Sequence, residues 1–256
     1  MLKSFIKLSA FTLAETLIVM GIIGVVAALT LPNLNSSTGD KEKVAKVKKI
    51  YQNLNDALGR AEAVYGPIDE WFVKNTSCTG SIGSAANSSC HKKLGERITE
   101  FMKISKSCET NTGCFHNGYK KRDGSADGNL DTLSAYKYIL ADGTSLYLSA
   151  DKYSGTSWFN GETTLRAVIN IDIDGPNKGA STSGVDYFQF VLTDNGILPN
   201  GTANSNISSL FSNWSSGLAA YWIIMNDNMD YLKVGNDGKC PDGKTILDFT
   251  TNTTCK

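Results

Sequence analysis

The sequence predicts an α+β fold in which a long N-terminal helix packs on a four-stranded antiparallel β-sheet, with loops closed by disulfides. Three observations lead to this prediction. An apolar run near the N-terminus continues into an amphipathic helical pattern, four later segments alternate in the manner of strands, and six cysteines follow the apolar run. The 256 residues are enough for one substantial core.

The first half of the predicted helix is apolar. Residues 11–31 contain a single charged residue, Glu15. A helix of this length reaches about 30 Å, which is the thickness of the hydrocarbon core of a bilayer. The preceding residues carry Lys3 and Lys7, and basic flanks remain in the cytoplasm. We therefore expect a single-pass membrane anchor with a cytoplasmic N-terminus, followed by an exported domain.

A small residue, Ala10, comes immediately before the apolar run. An ordinary secretory signal has its small-residue cleavage site after the apolar region. Cleavage at Ala10 would instead remove only the basic leader and leave the apolar helix on the mature chain. We accordingly expect four parts, namely a leader, an apolar transmembrane half-helix, an amphipathic half-helix and an exported globular domain: residues 1–10, 11–32, 33–66 and 67–256.

The second half of the predicted helix carries one apolar stripe. Its apolar residues recur at alternating steps of three and four, which places them on one side of a helix. They are Val44, Val47, Tyr51, Leu54, Leu58, Ala61 and Tyr65. Lysines and acidic residues occupy the other side, so we expect the stripe to pack on the sheet. Gly66-Pro67 predicts that the helix ends near residue 65.

The predicted strands begin at Tyr136. The first two flank Asp142-Gly143, a dipeptide typical of tight hairpins. The four predicted strands are residues 136–141, 144–150, 165–173 and 186–192. An antiparallel sheet of this kind offers one face to the helical stripe. A short helix is also predicted near residues 92–104.

All six cysteines lie in the part of the chain that is expected to be exported. An even number of cysteines in an oxidising compartment predicts disulfides. Six cysteines allow 15 connectivities, and we predict pairing between sequence neighbours. The predicted pairs are Cys78 with Cys90, Cys108 with Cys114, and Cys240 with Cys255.

The segment AFTLAETLIVMGIIGVVAALTLPNL, residues 10–34, resembles the N-termini of type IV prepilins and of the pseudopilins of type II secretion. It joins a short basic leader, a small residue, a Phe and a lone Glu five positions into an apolar helix. Ala10 departs from the family, which usually has Gly there. The resemblance implies that a prepilin peptidase cleaves between Ala10 and Phe11 and that the new Phe11 amine is methylated.

The resemblance also implies a structural role in a type IV pilus-like or pseudopilus filament, with other pilin subunits as partners. The chain would sit in the bacterial inner membrane before assembly and in a periplasmic or extracellular filament afterwards. In the family, positions matching Gly24 and Pro32 bracket a segment that can lose helicity in filaments. Glu15 would pair with the Phe11 ammonium of a neighbouring subunit, because a carboxylate in hydrocarbon is costly. The alternative is that Glu15 reaches the lipid headgroups.

One set of residues has ligands suited to calcium. Asp172, Asp174, Asn177 and Asp186 surround a Gly-containing turn, and calcium prefers such oxygen ligands. Some pseudopilins, which the chain resembles, use such a loop. The alternative is an Asx-rich turn that needs no metal, and no EF-hand spacing is present. The two histidines, His91 and His116, fit no zinc-finger spacing with the cysteines.

Other function classes have weaker support. The formal charges cancel, 25 basic against 25 acidic, so nucleic acid is not expected as the main partner. Lys120, Lys121 and Arg122 beside Tyr119 form a small basic cluster. The second functional hypothesis is therefore a minor pilin that acts in surface adhesion or DNA uptake. The sequence contains no catalytic motif, so we do not expect an enzyme.

Mass spectrometry of the mature protein should find Phe11 at the N-terminus with a methylated amine. The Ala10→Arg change should block removal of the leader, because a large charged side chain does not fit a subsite that selects a small one. An exported chain that still begins at Met1 would contradict the predicted processing.

Overall fold

The computed structural model describes residues 13–72, 83–150, 165–213 and 215–255, apart from the side chains of residues 27–38 and of Phe72. The chain forms two compact units, and the boundary between them follows Glu42. The first described element, helix α1, spans Leu13–Tyr65 and has 53 residues. The remaining helices are α2 (Ile68–Phe72), α3 (Ser88–Thr99), α4 (Ser208–Asn213) and α5 (Ser216–Asn226).

Helix α1 buries one side in the second unit. The residues fully or almost fully buried there are Val44, Val47, Ile50, Leu54, Ala57, Leu58 and Ala61. Two residues of the predicted stripe differ: Tyr51 is half-buried and stacks on Phe190, and Tyr65 is exposed. The helix ends where predicted. Gly66 follows it with φ +81° and donates its N–H to the carbonyl of Glu62, a conformation that favours glycine.

The main β-sheet has six antiparallel strands in the order β1-β4-β5-β6-β7-β8. Their bounds are β1 (Ile104–Glu109), β4 (Tyr136–Leu140), β5 (Ser145–Ala150), β6 (Leu165–Asp172), β7 (Tyr187–Thr193) and β8 (Gly196–Pro199). A separate two-strand ribbon joins β2 (Tyr119–Lys120) to β3 (Ala126–Gly128). The predicted hairpin at Asp142-Gly143 is confirmed, since β4 and β5 pair around it.

The predicted fold class is wrong on two points. The sheet has six strands rather than four, because the outer strands β1 and β8 join the predicted central four. Strand β1 has two register shifts and β8 has only four residues, so neither shows regular alternation. The predicted transmembrane half of the helix is the second error. A spanning helix needs about 20 predominantly apolar residues, and in the described ranges no helix is long and apolar enough to cross a membrane.

The short helix also differs from its prediction, since α3 ends at Thr99 and the following residues enter β1. Helix α3 packs on the α1 side of the sheet, and its buried residues Leu94 and Ile98 join the main core. The opposite face of the sheet carries a second cluster. Its members are Cys108, Cys114, Phe115, Tyr119, Ala135, Tyr147 and Tyr187. Both faces of the sheet are therefore covered.

The contact between α3 and β4 predicts that Gly95→Ala is destabilising. A Cβ at Gly95 would overlap the hydroxyl of Tyr138 and lie 3.2 Å from the Cβ of Tyr136. Overpacking of this kind lowers the free energy of unfolding by about 1–3 kcal/mol. Gly59 on α1 is the matched control, because a Cβ there meets nothing within 4 Å. Gly59→Ala should raise stability by about 0.5–1 kcal/mol through helix propensity.

Denaturant unfolding of the two glycine variants and the wild type measures both effects. Equal stability changes in the two variants would contradict the packing described for α3.

Candidate functional site

The N-terminal part of α1 exposes apolar side chains on every side. We call residues Leu13–Val26 the apolar segment. Nine of its large side chains are 53–80% exposed: Leu13, Leu17, Ile18, Val19, Met20, Ile22, Ile23, Val25 and Val26. Successive helical residues point about 100° apart, so the run from Leu17 to Met20 already surrounds the helix. Exposed apolar surface of this extent is typical of an interaction site.

The predicted assembly residues fall partly on this segment. Glu15 lies in the first turn of α1, where a negative charge is favourable to the helix dipole. A Cβ at Gly24 would meet nothing within 4 Å, so no close contact within the described chain requires a glycine at this position. The predicted processing residues Ala10 and Phe11 lie outside the described residues, as does the side chain of Pro32. The roles of Glu15, Gly24 and Pro32 therefore stay predictions.

The predicted calcium residues do come together between β6 and β7. We call residues 172–186 the acidic turn. Asp172 is buried, and its Oδ1 accepts the N–H groups of Asp174 at 3.0 Å and Gly175 at 3.1 Å. Its Oδ2 accepts the hydroxyl of Tyr119 at 2.5 Å. Burial raises the pKa of Asp172 to about 6, and these hydrogen bonds only partly oppose that shift.

The other two carboxylates of the acidic turn face lysines of α1. Oδ1 of the buried Asp186 lies 2.7 Å from Nζ of Lys43. Oδ1 of Asp174 lies 3.7 Å from Nζ of Lys46. Oδ2 of Asp186 is buried without a hydrogen-bond partner. The fourth predicted ligand, Asn177, is exposed.

As placed, these residues leave few oxygens free for calcium, and calcium binding stays a prediction. Calcium takes six to eight oxygen ligands, whereas both oxygens of Asp172 already accept hydrogen bonds and Asp174 and Asp186 each face a lysine. Within the described ranges, no three His, Cys, Asp or Glu side chains are grouped so that they could hold a metal ion.

Two of the three predicted disulfides are present. Cys108 bonds to Cys114 with a Cα–Cα distance of 6.1 Å, and Cys240 bonds to Cys255 at 5.4 Å. Cys90 is also disulfide-bonded, and its predicted partner Cys78 lies outside the described residues. These bonds place Cys108 and Cys114 outside any zinc site.

A buried carboxylate that the sequence analysis missed holds the loop of the Cys108–Cys114 disulfide. Asp131 accepts the backbone N–H groups of three consecutive residues, Gly113 at 2.7 Å, Cys114 at 3.1 Å and Phe115 at 3.0 Å. Three such charge-assisted hydrogen bonds stabilise a buried carboxylate. No sequence motif marks this arrangement, because the partners lie 16–18 residues away along the chain.

Lys137 lies beside Asp131 and is also missed by the sequence patterns. Its side chain is fully buried in β4. Its ammonium donates to the carbonyls of Asp131 at 2.6 Å, Leu133 at 2.8 Å and Thr110 at 3.3 Å. Burial lowers the pKa of Lys137. The sequence does contain one signal, since a lysine at the second position of the apolar string YKYIL interrupts the pattern of a buried strand.

The basic cluster at residues 120–122 is smaller than its sequence suggests. Arg122 donates its two Nη groups to the carbonyls of Phe211 and Val234, each at 2.6 Å. Tyr119 is buried and bonded to Asp172, so its ring does not offer a stacking surface for a base. Lys120 and Lys121 are the members of the cluster that remain at the surface.

Comparisons with known protein families, with curated proteins and with solved structures find no match for this chain. The resemblance to prepilins therefore rests on the residues of the N-terminal segment.

His91 is held by the backbone as a neutral side chain. Its ring is fully buried, with Nδ1 accepting the N–H of Ala150 at 3.0 Å. Nε2 lies 3.1 Å from the carbonyl oxygen of Ser84. A carbonyl oxygen accepts a hydrogen bond only from a donor, so the ring proton is on Nε2. A second proton would have to sit on Nδ1 against the Ala150 N–H. Burial accordingly lowers the pKa of His91.

The lowered pKa of His91 predicts a pH-dependent stability. Below a pH of about 6.5 the unfolded chain binds a proton at His91 and the folded chain does not. The contribution of His91 to the free energy of unfolding should therefore fall as the pH falls through this window, with a slope of at most about 1.4 kcal/mol per pH unit. His91→Gln should remove this part of the slope in denaturant unfolding between pH 5 and 7.

The matched control is His116→Gln, which removes the other histidine and leaves the buried ring unchanged. It should keep the slope that His91 produces. A His91→Gln variant with the slope of the wild type would show that the ring is not the origin of the effect.

Proposed function

We propose that this chain is a structural subunit of a type IV pilus-like or pseudopilus-like filament, and that the subunits assemble through α1. The observation that carries the proposal is the apolar segment, whose large side chains are more than half exposed over about four turns of helix. The occupant that we propose for this surface is the same segment of neighbouring copies.

The energetics favour association through this segment. Burying one large aliphatic side chain contributes about 1.5–3 kcal/mol relative to leaving it exposed. Nine such side chains can together offset a cost of about 4–15 kcal/mol for bringing two molecules together when most of their exposed area is buried. Apolar residues on all sides of the helix allow contact with several neighbours at once. Head-to-tail contacts that do not close into a ring extend into filaments.

Glu15 has a defined part in this proposal. Cleavage after Ala10 by a prepilin peptidase frees the Phe11 amine, which is then methylated. The Glu15 carboxylate of one subunit pairs with the Phe11 ammonium of the next. Among apolar helices such a pair is strong because the effective dielectric is low. The pair would fix the axial position of each incoming subunit, which apolar contacts alone do not specify.

The disulfides support an exported location for the globular unit. Bonds such as Cys108–Cys114 and Cys240–Cys255 form and persist in oxidising compartments. We place the globular unit in the periplasm or in an extracellular filament. The proposed role needs no catalysis by this chain, because the peptidase and methyltransferase act on it.

The second hypothesis is a minor pilin that acts in surface adhesion or DNA uptake, and its DNA-uptake form has less support. A DNA site needs accessible cations and aromatic rings. Arg122 and Tyr119 are engaged inside the protein, and two lysines make a small electrostatic contribution.

The assembly proposal predicts that a charge in the apolar segment abolishes filaments. Val25 and Val64 are both on α1 and both 61% exposed, so they form a matched pair. Val25→Asp should reduce the subunit in sheared filaments by tenfold or more, because each contact would bury an unpaired carboxylate. Val64→Asp should leave assembly within about twofold of the wild type. The measurement is the ratio of filament to cell-bound subunit at equal expression.

Thermal unfolding of both variants tests whether the globular unit remains folded. Filaments with normal amounts of Val25→Asp would overturn the proposed interface. Loss of filaments in both variants to the same extent would show that the effect is not specific to the apolar segment.

A further inference from the structure

The acidic turn contains a buried charge that must be neutralised. Asp186 has no exposed surface, and its Oδ2 is buried without a hydrogen-bond partner. An isolated carboxylate in such a place would strongly destabilise the fold. Asp174 lies close by, since a Cβ at Gly179 would be 2.6 Å from Oδ2 of Asp174 and 3.0 Å from Oδ2 of Asp186. The two carboxylates therefore approach the same point.

Both neutralising charges come from helix α1. Lys43 and Lys46 are three residues apart and so lie on the same side of the helix. Nζ of Lys43 donates to Oδ1 of Asp186 at 2.7 Å. Nζ of Lys46 donates to the carbonyl of Ile173 at 3.0 Å and lies 3.7 Å from Oδ1 of Asp174. The Lys43–Asp186 contact joins residues 143 positions apart in the sequence.

A divalent cation would compete with these lysines for the same oxygens. An ion bound to Asp174 and Asp186 would have the Lys43 ammonium 2.7 Å from one of its own ligands. Like charges at that separation repel strongly in a partly buried site. Asp172 would offer no compensation, because its oxygens already accept hydrogen bonds from two backbone N–H groups and from Tyr119.

We infer that Lys43 and Lys46 occupy the role of a bound cation in the acidic turn, and that the Lys43–Asp186 ion pair fastens α1 to this turn. The stability of the globular unit is then independent of divalent metal. The inference concerns contacts within one chain, so it does not depend on filament assembly.

The ion pair is tested by thermal unfolding of the full chain in a mild detergent that covers the apolar segment. Lys43→Met keeps an unbranched apolar side chain of similar length and removes the ammonium group. It should lower the melting temperature by about 5 °C or more, because Asp186 is left buried without its partner. Lys41→Met is the matched control, since Lys41 is an exposed lysine two residues earlier. It should stay within about 1 °C of the wild type.

A double variant separates the ion pair from other effects of Lys43. Lys43→Met with Asp186→Asn should recover part of the loss, because no buried charge is left unpaired. Failure to recover would show that the loss does not arise at Asp186. Equal melting temperatures for Lys43→Met and Lys41→Met would overturn the fastening role.

The dependence of stability on divalent metal is measured with the wild-type chain and needs no variant. Its melting temperature should be the same in EDTA and in millimolar calcium. A lower melting temperature in EDTA, or a higher one in calcium, would show that a cation holds the acidic turn and would overturn the inference.

Discussion

The packing of one side of α1 against the six-stranded sheet is the interaction on which the rest of the globular unit depends. The buried stripe from Val44 to Ala61 meets inward-facing residues of β4 to β8, among them Ile169, Phe188 and Phe190. Each fully buried side chain of this kind contributes about 1.5–3 kcal/mol. The sheet has a second face, which in turn must be covered. The disulfide loop at Cys108–Cys114 and the aromatic rings around Tyr119 provide that cover.

The same helix has two different surfaces along its length. In the second unit α1 is apolar on one side and polar on the other, which suits a helix lying on a sheet. Between Leu13 and Val26 it is apolar on all sides and exposed. A surface of the second kind is unfavourable in water, because apolar area gains free energy when it leaves the solvent. Association with other copies, as proposed above, would remove this area from water.

Polar contacts add specificity to this apolar framework. The Lys43–Asp186 pair adds a polar contact between α1 and the acidic turn to the apolar packing of the stripe. The hydrogen bonds of Asp131 and Lys137 similarly fix one arrangement of the Cys108–Cys114 loop, which has few apolar residues of its own. Asp131, Lys137 and Oδ1 of Asp186 each have polar partners, which the low dielectric of the interior favours.

The sequence by itself determined the elements that local pattern controls. These are the amphipathic half of α1 with its end at Gly66, the hairpin at Asp142-Gly143, the four central strands, and the neighbouring cysteine pairs. Only the tertiary structure decided the outer strands, because β1 is bulged and β8 is short. It also decided which charged groups the carboxylates of the acidic turn face. In the sequence, the oxygens of Asp172 and Asp186 form a pattern that suits calcium. In the structure Lys43, far along the chain, donates to Asp186. Contacts over such separations depend on how helix and sheet pack, and periodicity carries no information about them.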